Sequence, residues 1–142
     1  MALAPIPGAV DALLTPEEDG PVVFLNLLKF KGDEGREAYN EYFKLSVLHG
    51  PRFGAEFIFL GVPTLTLIAE EDEAWWDCMW LVRYPNRKQF HNILNDAEFA
   101  REALALKQDV LEAHIVQAYV AWNPTGNMPT ALPGMGNGVL KP

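Results

Sequence analysis

The sequence predicts one α+β domain of order strand, helix, strand, strand, helix, strand, with a four-stranded antiparallel sheet carrying both helices on one face. Three observations predict it. Stretches 22–30 and 75–85 are short and apolar and are bounded by Gly or Pro, as strands are. Both carry large apolar side chains at odd and even positions alike, so both of their faces need cover. Right-handed crossovers in this element order put the first and third strands at the centre of the sheet. Periodicity and topology therefore select the same pair. One layer of helices buries one face of a sheet, and a second copy of the chain, packed sheet against sheet, is the expected cover of the other.

At 142 residues and 15.9 kDa the chain can bury one core but not two. A net charge of -8 and a pI near 4.8 repel phosphate backbones and anionic lipids, so neither nucleic acid nor a membrane surface is an expected partner. The single Cys78 excludes an intrachain disulfide framework and a Cys-based zinc site. The opening MALAPIPGAV has no basic n-region, and no apolar run reaches the length of a membrane span. The expected location is the cytoplasm.

Residues 1–20 form a lead-in, with a short helix over 9–14 and the acidic Glu17, Glu18 and Asp19 before the first strand. That strand, 22–30, is interrupted by a single amide, Asn26. A helix follows to Gly50-Pro51, with Asp33 as its expected N-cap and Tyr39, Phe43 and Val47 along one line of its face. Stretch 56–69 is apolar and β-prone but contains Gly61 and Pro63, which predicts an edge strand with a bulge or break at that point. After the charged turn 70–73 comes the third strand, stopped by Pro85. Asn86 with Gln89 reads as a capping box, and Asn95 with Glu98 repeats the signal. A short helix, a kink and a longer helix to about Ala113 are expected, with Phe99, Ala103, Leu106 and Val110 facing inward. Residues 114–122 make the last strand. The Gly- and Pro-rich tail, 123–142, carries Met128, Leu132, Met135, Val139 and Leu140, and these anchors predict a docked tail. The domain proper is thus 21–122.

This order is the ferredoxin-like pattern. The stretches 25–30 (LNLLKF) and 76–87 (WDCMWLVRYPNR) resemble recurring motifs of an uncharacterised family, a domain of unknown function among the dimeric α+β barrel proteins. Asn86 stands where that family usually has serine. The resemblance spans about residues 15–121. It implies the dimeric barrel fold and no particular reaction: the wider superfamily includes cofactor-free monooxygenases, isomerases, dehydratases, haem-handling enzymes and plain binding proteins.

The candidate chemistry starts from Asn26, a buried amide that either bonds to a neighbouring strand or presents its dipole to a carbonyl or enolate. Asp77, among tryptophans, is either a partner for a basic residue or a base whose proton is held by apolar surroundings. His49 ends the first helix, where the helix dipole favours a histidine with or without a catalytic role. These two are the candidate catalytic residues. Asn26, Arg83, Trp80 and Tyr42 are the candidate ligand contacts, with Arg83 either anchoring a substrate anion or pairing with a carboxylate near its strand end. His49, His91 and His114 show no metal-ligand spacing, so no metal is expected. There is no dinucleotide fingerprint, P-loop or nucleophile elbow, and no cofactor is expected. Two functions remain open. One is a homodimer binding a small apolar or aromatic carbonyl compound, with or without cofactor-independent isomerase, cyclase or monooxygenase activity. The other is a non-catalytic binding or interaction module.

Overall fold

The computed structural model describes residues 5–14, 20–70, 76–103 and 110–121. The expected docked tail, the charged turn, Trp75 and Leu106 lie outside the described residues. The elements are α1 (Ala9–Ala12), β1 (Val22–Phe30), α2 (Gly32–His49), a 3-10 turn (Gly50–Phe53), β2 (Glu56–Gly61), β3 (Cys78–Tyr84), α3 (Arg87–Leu94), α4 (Ala97–Glu102) and β4 (Leu111–Tyr119). The sheet is antiparallel in the order β2-β3-β1-β4, which puts β1 and β3 at the centre as their two-sided apolar character requires. No described helix is long and apolar enough to cross a membrane.

The register assigns the two faces. Leu25 sits opposite Leu81, Asn26 opposite Trp80 on one side and Val116 on the other, and Leu28 opposite Cys78 and His114. Val22, Phe24, Asn26 and Leu28 are buried, as are Cys78, Trp80, Val82 and Tyr84. They pack with Tyr39, Tyr42, Ile93 and Phe99 into the core, so α2, α3 and α4 all cover this even-numbered face. The odd-numbered face, with Val23, Leu25, Leu27, Met79 and Leu81, is only half-buried.

Several boundaries differ from expectation, each for a local reason. The β2 strand breaks off at Gly61, two residues before Pro63, which has no N–H to donate; a register shift between Phe57 and Phe59 lies earlier in the strand, where none was expected. Residue 33 does not cap α2. The helix starts at Gly32 with Lys31 before it, and Asp33 lies in the first turn, bonded to Arg36 at 2.7 Å. The buried stripe of α2 is Gly35, Tyr39, Tyr42, Ser46 and His49, and Val47 is exposed. In the second helical region Asn86 accepts from the Gln89 amide at 2.9 Å as predicted, but the next cap is Asp96, accepting from the Phe99 amide at 2.9 Å, rather than Asn95. The β4 strand begins at Leu111, so no helix reaches Ala113. The Val110 carbonyl is already taken by the Lys31 amide at 3.0 Å, which starts the ladder to β1.

That carbonyl also fixes Gly35. A Cβ there would lie 2.5 Å from the Val110 oxygen. Gly35→Ala is therefore expected to destabilise the fold by about 1–3 kcal/mol despite alanine's better helix propensity. Urea unfolding checks this, and an unchanged or raised midpoint would contradict it.

Candidate functional site

Between the even face of the sheet and the helices lies a cavity of about 60 Å³. Its polar groups come from three elements. Asn26 stands in mid-β1, 6% exposed, with its Oδ1 accepting from His114 Nε2 at 3.4 Å across the β1–β4 pair. That contact turns the amide's NH₂ group away from His114. Tyr42 and Ser46 come from successive turns of α2, and Ser46 Oγ donates to the Tyr42 carbonyl at 3.1 Å. Tyr84 comes from the end of β3.

Burial raises the pKa of both phenols. At Tyr42 a side-chain hydrogen bond with Ser46 partly offsets the burial, and at Tyr84 the neighbouring Tyr42 adds to it. Both hydroxyls therefore stay protonated throughout the physiological range and act as donors. No described lining residue is a carboxylate, an imidazole or a cation. Among the described residues the cavity offers donors to an oxygen atom and no side chain that would take up a proton near neutrality.

Apolar side chains form the rest of the wall. Trp80 stacks on Phe57 at 5.7 Å and 13°, and its Nε1 donates to the Tyr39 hydroxyl at 3.1 Å. Phe90 and Phe99 approach from α3 and α4. The structure thus brings Asn26, Trp80 and Tyr42 together.

The other three candidates lie elsewhere. Asp77 secures the junction between β1 and β3: its Oδ2 accepts from the Phe30 amide at 2.8 Å, its Oδ1 lies 3.4 Å from Lys29 Nζ, and its own amide donates to the Leu28 carbonyl at 2.8 Å. Its surroundings are therefore polar. Arg83 is exposed on the odd face, 3.5 Å from Glu56. His49 is buried at the end of α2, but Phe99 packs edge-on against it at 5.8 Å and faces the cavity in its place.

The contacts of His49 fix its proton. Arg52 Nη2 lies 2.7 Å from Nδ1, and a guanidinium can only donate, so Nδ1 is bare and the proton sits on Nε2, 3.2 Å from Glu102. Donor atoms of His49, Asp96 and Glu98 lie within 4.8 Å of one another. Arg52 already holds His49, and it also holds Asp96 at 3.2 Å, which puts a fixed positive charge where an ion would have to sit.

The Asp96 cap has a pH consequence. Its carboxyl is held below the ordinary value, first by the Phe99 amide and then by Arg52. A depressed folded pKa contributes stability that is present above the unfolded value of 3.8 and is lost as pH falls through the folded value. Asp96→Asn is therefore expected to lower stability at pH 7, with the difference shrinking as pH falls below the ordinary value of 3.8. A difference in urea midpoint that stays constant over that fall in pH would contradict this.

The sequence reading missed Ser46, Tyr84 and His114. The first had a signal: Ser46 lies four residues after Tyr42, on the same helical line, and a serine on a core-facing stripe calls for a partner. His114 becomes visible as Asn26's neighbour only once the strand register is known.

Comparison with solved structures agrees with this architecture. The RPA0582 protein of unknown function from Rhodopseudomonas palustris is 25% identical, with 85% of this chain and 97% of that one covered and a TM-score of 0.73. A dimeric protein of unknown function and ferredoxin-like fold from Bacteroides fragilis is 15% identical, over 72% of this chain and 97% of that one, with a TM-score of 0.51. SnoaB, a cofactor-independent oxygenase from Streptomyces nogalater, is 17% identical over 76% of this chain and 99% of its own, with a TM-score of 0.49, too distant for its activity to bear on this chain. No protein-family model and no curated protein matches the chain. The structural neighbours thus include proteins of unknown function, one of them described as dimeric and ferredoxin-like, as the motifs at 25–30 and 76–87 implied.

Proposed function

We propose that the chain is one subunit of a homodimer that binds a small aromatic compound by placing its carbonyl or phenolic oxygen in the cavity between sheet and helices. The carrying observation is the convergence of Asn26, Tyr42 and Tyr84 on one otherwise apolar cavity. Donors fixed in a water-poor site are worth more than in water and favour an oxygen that carries partial negative charge. Homodimerisation draws support from the half-buried apolar odd face and from the neighbour in Bacteroides fragilis, which is described as dimeric.

Two readings of the activity follow from one arrangement. The donors suit stabilisation of an enolate, which fits an isomerase, cyclase or monooxygenase that needs no cofactor. The lack of any carboxylate or imidazole among the described lining residues favours binding without catalysis. Asp77 and His49 would enter the chemistry only if substrate binding rearranged the Phe30 and Phe99 contacts that now hold them.

The test is a thermal-shift screen of aromatic ketones and phenols on wild type, Asn26→Ala, Asp77→Asn and His49→Ala. Compounds that stabilise wild type should lose most of that shift in Asn26→Ala while the variant remains folded. Loss on Asp77→Asn or His49→Ala would restore those residues to the site. Equal binding by Asn26→Ala would remove the amide from it.

A further inference from the structure

A second hollow lies beside the cavity and shares two of its walls. It is a groove of about 310 Å³ between the middle of α2 and the edge strand β2, lined by Phe43, Phe57, Ile58, Phe59, Leu60 and Trp80. Phe57 and Trp80 line the inner cavity as well, and their stacked rings separate the two spaces. The groove is chemically the complement of the chamber. Every described lining side chain is apolar except for the Trp80 indole N–H, and that is committed to the Tyr39 hydroxyl at 3.1 Å.

Size links the two. The inner cavity alone holds only a few water molecules, and sites for organic ligands run from about 300 to 1,000 Å³. The groove alone lies at the lower end of that range but has no free polar group, and the chamber supplies the polar end. The partition is also unequal in its freedom. Trp80 is 6% exposed, on a central strand, bonded through its indole and flanked edge-on by Phe43 at 5.1 Å. Phe57 is only partly buried, on an edge strand, beside the register shift that follows it. Bulges loosen pairing and re-aim side chains, so Phe57 is the ring that can move.

We propose that the groove is the outer half of the same site. Its ligand is an oxygen-bearing aromatic of at least two fused rings, with the oxygen at Asn26 and the distal ring in the groove, admitted when the Phe57 ring swings off Trp80. This rests on the binding reading above and adds the size class of the ligand and its route.

Phenol and 2-naphthol, titrated calorimetrically, separate the two claims. Wild type should bind 2-naphthol at least tenfold more tightly than phenol. Asn26→Ala should weaken both. Leu60→Glu, at a position 55% exposed and outside the chamber, should bring 2-naphthol to within threefold of phenol. Phe57→Ala should speed 2-naphthol association several-fold in stopped-flow fluorescence. If phenol binding depends on Asn26 but 2-naphthol is no tighter, or is untouched by Leu60→Glu, the groove inference falls and the chamber reading stands. If Leu60→Glu changes the oligomeric state, the groove belongs to a subunit contact and the inference falls. Unchanged or slower association in Phe57→Ala removes the gate. If neither probe binds wild type, both readings fall.

Discussion

Leu25→Asp is expected to yield a folded protein that no longer dimerises, whereas Leu28→Asp is expected not to fold. The two positions are three residues apart on β1, and they face opposite ways. Leu28 is 0% exposed and lies under the helices, opposite Cys78 and His114. A carboxylate there would be buried without a partner, at a cost of roughly 3–5 kcal/mol or more, against a total stability of about 5–15 kcal/mol for a domain. Leu25 is half-buried on the odd face, between Leu81 and Gln117. In a single subunit an aspartate there reaches water. Against the same face of a second copy it does not, and in a symmetric dimer the penalty falls on each subunit. Light scattering and far-UV circular dichroism read the two outcomes separately. Wild type found as a 15.9 kDa monomer, or Leu25→Asp found as an unaltered dimer, would sink the sheet-face interface.

Trp80→Ala carries the next largest expected effect, a loss of about 3–5 kcal/mol. The indole stacks on Phe57, meets Phe43 edge-on at 5.1 Å and donates to Tyr39. Its removal opens a hole against three aromatic rings and leaves the Tyr39 hydroxyl without that donor. Trp80→Phe restores most of the volume but not the hydrogen bond, so it should cost about 1–2 kcal/mol. The gap between the two variants measures packing against polar satisfaction. Denaturant unfolding that placed both within error of wild type would mean that the hub is not a hub.

The centre of the sheet was legible because β1 and β3 alone have two apolar faces, and topology asks for such strands in the middle. Which face carries the helices was not legible, for the same reason. Val22, Phe24 and Leu28 look no more core-like in sequence than Val23, Leu25 and Leu27, and only the packing separates them. Asn26 was readable as the one interruption, and Tyr42 and Trp80 join it at the cavity. Of the two readings of Asp77, pairing with a basic residue is the one seen, but its partners, Lys29 and the Phe30 amide, sit across the strand pair, where its neighbours in sequence give no sign of them. Arg83 shares the odd face of its strand with Asp77, and the sequence does not say that this face turns away from the helices and the cavity. Helix boundaries shifted where a tertiary contact won over a local signal, as at Val110, whose carbonyl starts a strand ladder where helical periodicity still ran on.

Cys78 gives the protein an internal clock. It is the only thiol in the chain, 8% exposed, on the helix-facing side of a central strand opposite Leu28. Burial, and then the charge of Asp77, push its thiol up to about 11. At pH 8 the thiolate is on the order of one part in a thousand, so alkylation of the closed protein is negligible. Labelling must wait for the helices to lift from the sheet, and its rate under slow-reagent conditions reports the free energy of that opening. Separation of two sheet-packed subunits would expose the other face and leave this sulfur covered. Alkylation kinetics that do not change on dilution, measured beside a mass that does, would therefore time the opening of one subunit independently of the parting of two.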